Sequence, residues 1–223
     1  MATEAEREQA LRDYKVTIEY KHLKNHAPGG VYLIPSFTDL RHFHGVIFVR
    51  RGPYTNGIFK FELTLPQKYN DVDAWPIIKF SSEVYNPHVD PQTGILDLKS
   101  AYPTWDPHRH YLVTVLTYLK KIFYMKTFPP GDNIANAEAR DLSVQNPSEY
   151  RKRVDACVTA SQKAVFVNDV DGCTAKFREE ELCHEVLREL MHKNLKDPST
   201  MTRTQVLEMV QEASERAARQ QAA

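Results

Sequence analysis

Residues 58–65 constrain the fold most strongly, because apolar and polar side chains alternate there one by one. The apolar set is Phe59, Phe61, Leu63 and Leu65, and the polar set between them is Lys60, Glu62 and Thr64. A period of two is typical of a β-strand that buries one face and leaves the other in water. This segment therefore predicts a half-buried strand.

Three more extended segments accompany this strand. They lie at Gly30–Ile34, His42–Arg50 and Pro76–Phe80, and the glycines and proline of residues 52–57 supply a turn before the strand that starts at Ile58. Successive strands joined by short loops favour antiparallel pairing. The sequence thus predicts a meander of four strands.

Apolar residues recur at helical spacing in the sequence both before and after the predicted strands. Leu11, Tyr14 and Ile18 mark an amphipathic helix from Thr3 to Tyr20, which the Ala-Pro-Gly-Gly run at 27–30 ends. A second helix, from His108 to Tyr124, carries a core-facing stripe of Leu112, Val115, Leu116, Leu119 and Phe123. Helices and an antiparallel sheet together predict an α+β fold.

Residues 81–107 break the regular pattern between the sheet and the second helix. Prolines at 87, 91, 103 and 107 are spread there among Asn, Asp and Gly. A loop this long inside a compact domain is usually a functional site or the relic of one. We expect the aromatic residues near it to pack in the core, an exposed interface being the alternative: Trp75, Tyr85, Tyr102 and Trp105.

The run Pro129-Pro130-Gly131 predicts the end of a core that spans residues 1–128. Residues 129–223 are predicted to form a helical extension that packs on the core or on a partner. One helix opens at Asn146–Glu149, and two later helices carry apolar stripes. The stripe residues are candidate partner-binding positions: Leu182, Val186, Leu190, Val206, Met209 and Val210.

Composition excludes several classes of protein. Lys+Arg and Asp+Glu both number 29, so no net field draws the chain to nucleic acid or to an anionic membrane. Residues 1–14 lack the apolar run of a signal peptide, and the longest apolar stretches, such as Val46–Val49, are too short to cross a bilayer. We therefore expect a cytoplasmic or nuclear protein without direct membrane insertion.

Cysteines and histidines do not form a recognisable metal motif in the sequence. Cys157, Cys173 and Cys183 are spaced unlike a zinc ribbon, and we expect reduced thiols that pack as small apolar side chains. His42 with His44, and His108 with His110, could each place two rings on one strand face. A metal site needs three or four convergent ligands, and no Cys or His joins either pair at motif spacing. We expect surface roles for these histidines, and neither a metal nor a cofactor.

Several short motifs follow one another in a fixed order. They are Gly52-Pro53 with Gly57-Ile58-Phe59, Leu65-Pro66, Tyr69, Trp75–Phe80, Tyr85–Val89 and Trp105-Asp106-Pro107. This ordered set resembles that of the ubiquitin-conjugating enzymes, and the similarity spans about Thr3 to Phe123. The resemblance implies their fold: an N-terminal helix, a four-stranded meander, a long loop and a helix, followed here by extra C-terminal helices.

The same resemblance implies that the catalytic residue is missing. Active members present a cysteine in a Gly-x-Ile-Cys-Leu-Asp segment, where this chain has Asp97 within residues 94–99, and His88 takes the place of the asparagine of their His-Pro-Asn motif. A carboxylate cannot undergo trans-thioesterification. We expect a pseudoenzyme with no catalytic residue. The residues alone allow another role, in which Asp97 caps Ser100 or Ala101 and the turn that follows.

Further landmarks resemble the fused-toes group, also called the Akt-interacting protein or crossbronx-like group. They are Gly30–Pro35, Pro87–Val89, Leu96–Leu98 and Tyr102–Trp105. The resemblance implies a subunit of a complex with a Hook-type coiled-coil protein and a Hook-interacting protein, which links endosomal cargo to dynein. An Akt-type kinase is a further candidate partner. The alternative function is a ubiquitin-binding or chain-linkage cofactor of an active conjugating enzyme, and ubiquitin binding stays open.

Overall fold

The computed structural model describes residues 3–128, 134–167, 176–178, 180–194 and 202–221. The chain forms two compact units, which divide after Phe177. In chain order the elements are α1 (Glu4–His26), β1 (Val31–Pro35), β2 (His42–Phe48), β3 (Ile58–Thr64), β4 (Ile77–Phe80), α2 (Leu112–Ile122), α3 (Ala137–Gln145), α4 (Pro147–Ala164), α5 (Leu182–Asn194) and α6 (Arg203–Gln221). The Pro-Pro-Gly run at residues 129–131, from which the boundary at residue 128 was predicted, lies outside the described residues. That boundary stays a prediction.

The four strands form one antiparallel sheet in the order β1-β2-β3-β4. This confirms the predicted meander. The alternation in β3 is confirmed as well, since Phe59, Phe61 and Leu63 are buried in the core. Gly45 of β2 lies opposite Phe61, and a methyl group added at Gly45 would come within 2.3 Å of the Phe61 ring. The packing of β2 on β3 therefore requires glycine at this position.

Helix α1 is longer than predicted and buries a different set of side chains. It runs to His26 and ends before the Ala-Pro sequence, as proline requires. Val16 and Leu23 are buried, whereas the three residues predicted to form the apolar face are exposed: Leu11, Tyr14 and Ile18. That part of the prediction was wrong. Which residues of the helix are buried depends on its contacts with the rest of the core, and the spacing of apolar residues within the helix does not show those contacts.

Helix α2 supplies the centre of the core. It begins at Leu112, four residues later than predicted, because residues 106–110 form a turn in which Asp106 accepts hydrogen bonds from the backbone N–H groups of His108 and His110. Its predicted stripe is confirmed. The residues of that stripe are fully buried: Leu112, Val115, Leu116, Leu119 and Phe123.

Helices α3 and α4 belong to the first compact unit. Asn136 and Asn146 cap them by accepting hydrogen bonds from Ala139 N and Glu149 N, respectively. The sequence predicted the start of α4 and missed α3. Helix α4 lies against the core through Val154, Cys157 and Val158, and the Ser161 hydroxyl accepts a hydrogen bond of 3.1 Å from Ile58 N.

The second compact unit contains the pair α5 and α6, which share a small core. Val186 and Ala213 are buried in it, and Leu187 and Met209 pack around them. Val206, Leu207 and Val210 of α6 are exposed, and we call these three residues the α6 stripe. Among the described residues, no helix is long and apolar enough to span a bilayer.

The contact between Gly45 and Phe61 gives a test of the sheet. We expect Gly45→Ala to lower the free energy of unfolding by about 1–3 kcal/mol, because the added methyl group displaces a buried ring. Gly29→Ala is the matched control, since a methyl group there meets nothing within 4 Å. Denaturant unfolding of both variants measures the difference. Equal stability of the two variants would contradict the packing described here.

Candidate functional site

The segment that contains Asp97 is held by backbone hydrogen bonds on two sides. Toward β4, Phe80 N donates to Gly94 O and Leu96 N donates to Ile78 O, both at 2.9 Å. On the other side, Asp97 N donates to His88 O at 2.8 Å. The segment is thus an irregular continuation of the sheet, and it brings Asp97 and His88 together as backbone neighbours.

The turn at residues 90–94 enters this segment and depends on two local features. Asp90 accepts hydrogen bonds from Thr93 N at 2.7 Å, from the Thr93 hydroxyl at 2.8 Å and from Gln92 N at 3.0 Å, and these bonds lower the pKa of its carboxyl group. Gly94 has φ of +71°, and a methyl group there would lie 3.0 Å from Phe80 O. Both features fix the approach of the segment to β4.

Asp97 is half-buried and its carboxylate bonds within its own turn. Oδ1 accepts a hydrogen bond of 3.1 Å from Ser100 N, and Oδ2 accepts one from the Ser100 hydroxyl. The next turn follows directly, since Tyr102 N donates to Leu98 O at 2.9 Å. These contacts match the capping role predicted from the residues alone.

His88 is buried, and its burial favours the neutral form of the imidazole. Its Nδ1 lies 3.2 Å from the Tyr118 hydroxyl, its ring packs against Phe128, and its Nε2 has no hydrogen-bond partner among the described residues. Burial lowers the pKa of His88, Asp97 opposes this effect, and Lys121 adds to it. Burial likewise raises the pKa of Tyr118. This pair is suited to packing and not to proton transfer near neutral pH.

Asn86 is the buried polar group that anchors the loop, and the sequence analysis did not single it out. Its Oδ1 accepts from His88 N at 2.9 Å, while its Nδ2 donates to the Tyr54 hydroxyl and to Ile122 O, both at 3.1 Å. The Tyr54 hydroxyl in turn donates to Tyr85 O. The sequence signals were its place directly before a proline and its place within the Tyr85–Val89 motif of the long loop.

The thiol of Cys157 is not arranged as a nucleophile. Cys157 is buried on α4, where its Sγ lies 3.3 Å from Glu83 O and accepts a hydrogen bond from Tyr85 N. Burial raises the pKa of Cys157 to about 11, so its thiol stays protonated. Cys183 is half-exposed in the second unit, and Cys173 lies outside the described residues. The prediction of a free, buried thiol holds for Cys157.

An open cleft of about 270 Å³ lies beside this loop, between residues 80–85 and residues 90–94, with Asn136 on its wall. Neither Asp97 nor His88 lines it. The aromatic residues around the loop pack as predicted, since Trp105 is fully buried and Trp75 Nε1 donates to Tyr102 O at 2.9 Å. The loop is therefore a packed structure whose two singled-out residues lie outside the cleft.

Comparison of the sequence with protein families gives a match over most of this unit. Residues 15–158 match the family described as ubiquitin-conjugating enzyme, a span that includes the whole sheet, the Asp97 segment and most of α4. The chain belongs to the ubiquitin-conjugating enzyme family. The predicted fold of that family, with added C-terminal helices, is thereby confirmed.

Individual relatives place the chain in a variant group of this family. It is 37% identical to the protein crossbronx homolog of Culex quinquefasciatus, over 70% of this chain and 68% of the relative. It is 32% identical to the crossbronx homolog of Anopheles gambiae, over 71% of each chain. It is 34% identical to the AKTIP homolog of Nematostella vectensis, over 66% of this chain and 48% of the relative. The ubiquitin-conjugating enzyme variant is thus of the crossbronx and AKTIP type.

The six candidate partner-binding residues differ in how far they are buried. Val186 and Met209 lie in the core of the α5–α6 pair. Val206 and Val210 are exposed, and Leu182 is half-buried. The side chain of Leu190 lies outside the described residues. Partner binding by these six residues stays a prediction.

The buried amide of Asn86 gives a test of how the loop is held. We expect Asn86→Ala to lower the free energy of unfolding by about 1–3 kcal/mol, because Tyr54, Ile122 and His88 each lose a buried hydrogen-bond partner. Thermal or denaturant unfolding measures this loss. Gln92→Ala removes an exposed amide from the same loop and should change stability by less than about 0.5 kcal/mol. A loss no larger than that of the control would show that the loop is held in another way.

Proposed function

We propose that this chain is a catalytically inactive ubiquitin-conjugating variant that acts as an interaction subunit. The observation that carries the proposal is the state of Asp97, which stands where the family resemblance places the catalytic cysteine. Its carboxylate caps the turn at Ser100, so its oxygens are engaged in holding the loop. A group engaged in this way has neither the thiol that the transfer chemistry needs nor a free position from which to attack.

The surroundings of Asp97 support the same conclusion. In the part of the loop that the structure describes, His88 offers a buried neutral ring directed at Tyr118, in place of the asparagine of active members. Cys157 is protonated and bonded to the backbone of residues 83–85. Neither group supplies an activated nucleophile beside the loop.

The proposed inactivity predicts the outcome of a charging assay. With activating enzyme, ubiquitin and ATP, we expect no ubiquitin adduct on the full chain, because the described part of the Asp97 loop presents no activated thiol. Asp97→Ala should also form no ubiquitin adduct. An active conjugating enzyme serves as the positive control.

Two outcomes of that assay would overturn the proposal. A ubiquitin adduct that reducing agent removes would assign thioester chemistry to a cysteine, and the single variants Cys157→Ser, Cys173→Ser and Cys183→Ser would then locate it. An adduct that survives reducing agent and disappears in Asp97→Ala would assign acyl transfer to the carboxylate. Either result is visible as a shift in electrophoretic mobility.

We further propose that the partners are a Hook-type coiled-coil protein and a Hook-interacting protein, in a complex that links endosomal cargo to dynein. Membership of the crossbronx and AKTIP group supports this assignment. The name of the Nematostella relative also supports an Akt-type kinase as a partner. In this proposal the chain is cytoplasmic and reaches endosomes through its partners.

The α6 stripe is the surface proposed to contact a partner helix. Val206, Leu207 and Val210 are 45%, 59% and 42% exposed, so three branched apolar side chains lie within two turns of one helix. An exposed stripe of this kind on an amphipathic helix matches the apolar face that helix-in-groove partners cover. The small core of the α5–α6 pair does not use these side chains.

Substitution in the α6 stripe tests the partner assignment. We expect Val206→Asp with Val210→Asp to weaken binding of the Hook-type and Hook-interacting proteins by at least about tenfold, because a charge would be buried at the contact. Both positions are exposed, so folding should persist, which circular dichroism can verify. Thr204→Asp adds a single negative charge at an exposed position outside the stripe and is the control for added charge on this helix. Pull-down at wild-type level by the double variant would exclude the stripe as the contact.

A ubiquitin titration separates this proposal from the alternative function of a ubiquitin-binding cofactor. NMR spectra of the labelled chain should stay unchanged on addition of ubiquitin if the interaction-subunit proposal holds. Specific, saturable shifts at sub-millimolar ubiquitin would favour the cofactor function instead.

A further inference from the structure

Three potential metal ligands meet on the face of the sheet that lies opposite the hydrophobic core. His42 and His44 are two residues apart on β2, so both side chains leave the strand on one side while Phe43 between them enters the core. Glu62 of β3 lies directly across from His44 in the strand register, and Thr64 lies across from His42. The antiparallel pairing thus assembles two imidazoles and a carboxylate.

The distances among these side chains are short. The ring centres of His42 and His44 are 4.9 Å apart, and His42 Nε2 lies 3.9 Å from Glu62 Oε2. One ligand atom from each of the three residues lies within 4.8 Å of the other two. A tetrahedral Zn²⁺ ion with bonds of about 2.0–2.2 Å holds its ligand atoms about 3.3–3.6 Å apart, so small side-chain rotations would complete the site.

The orientation of the His42 ring is set by a hydrogen bond outside this group. Its Nδ1 lies 3.3 Å from the Thr64 hydroxyl, which leaves Nε2 facing Glu62. Metal-binding histidines commonly use their second ring nitrogen in this way, and the outer bond fixes the ring for ligation. Backbone pairing thus sets the positions of the three residues, and this side-chain bond orients the His42 ring.

A simple ion pair accounts poorly for the same geometry. The 3.9 Å between His42 Nε2 and Glu62 Oε2 exceeds the 2.7–3.2 Å of a direct hydrogen bond. His44 is only 5% exposed, while His42 and Glu62 keep more than a quarter of their side-chain surface in contact with solvent. An ion could therefore enter from the solvent side and reach all three ligands.

We propose that His42, His44 and Glu62 bind a divalent transition-metal ion of the Zn²⁺ type, with the fourth position open to water. Two imidazoles and one carboxylate are ligands that Zn²⁺ accepts, and three protein ligands leave one coordination position free. The sequence pointed away from this site because its third ligand is a glutamate on the neighbouring strand. This inference is independent of the proposed function.

Two other groups of potential ligands serve as internal controls. Glu181, Cys183 and His184 lie close together at the start of α5, but Glu181 N already donates to His184 Nδ1 at 3.0 Å. His22 and His26 on α1 have ring centres 6.0 Å apart. Among the described residues, they do not belong to a group of three potential ligands. We expect neither group to determine the affinity for Zn²⁺.

Titration of the full chain with Zn²⁺ alone tests the proposal. We expect one ion to bind per chain by calorimetry, with shifts of the His42 and His44 imidazole resonances in NMR spectra. Glu62→Gln and His42→Ala should each weaken binding by about 100-fold or more, since each removes a ligand. Thr64→Val should weaken it by about tenfold, because the outer bond to His42 is lost.

Control variants test whether Zn²⁺ binding and its loss arise from the site at His42, His44 and Glu62. Cys183→Ser, and the double variant His22→Ala with His26→Ala, should bind Zn²⁺ like the unchanged protein. Glu62→Gln keeps the shape of a half-exposed side chain, so a loss of binding there does not arise from misfolding. Unchanged affinity in Glu62→Gln, loss of affinity in Cys183→Ser, or no one-to-one binding by the unchanged protein would each overturn the proposal.

Discussion

The side-chain amide of Asn86 joins three parts of the fold that are distant in sequence. It bonds to the Tyr54 hydroxyl in the turn between β2 and β3, to Ile122 O at the end of α2, and to His88 N in the long loop. A buried amide with all these partners is stabilising only while each of them is in place. The loop, the sheet and α2 therefore depend on one another at this point.

The Asp97 segment uses the frame that Asn86 anchors. Its backbone pairs with β4 on one side and with His88 on the other, so the position of residue 97 is set mainly by main-chain hydrogen bonds. Main-chain hydrogen bonds can form whichever side chain the residue carries. A family frame of this kind can keep its geometry when a nucleophile is replaced by a capping group, as the proposed function requires. The carboxylate then contributes to stability where a thiol would contribute to chemistry.

Local patterns in the sequence predicted the elements whose contacts are local or periodic. The alternation in β3 and the stripe of α2 repeat regularly and were confirmed. The buried face of α1 was predicted wrongly, because Val16 and Leu23 are selected by contacts with the rest of the core. Helix α3 was missed because its nine residues form only a short pattern. Asn86 and the pairing of His44 with Glu62 connect separate elements, and no local pattern could reveal them.

Helix α4 closes an edge of the first unit that the sheet leaves open. Its Ser161 hydroxyl accepts the first N–H group of β3, and its Cys157 lies against the backbone of residues 83–85. A recombinant fragment that stopped at residue 128 would leave these groups and the neighbouring apolar surface in water. A fragment designed to crystallise the core with these contacts in place therefore has to include all of α4, through Ala164.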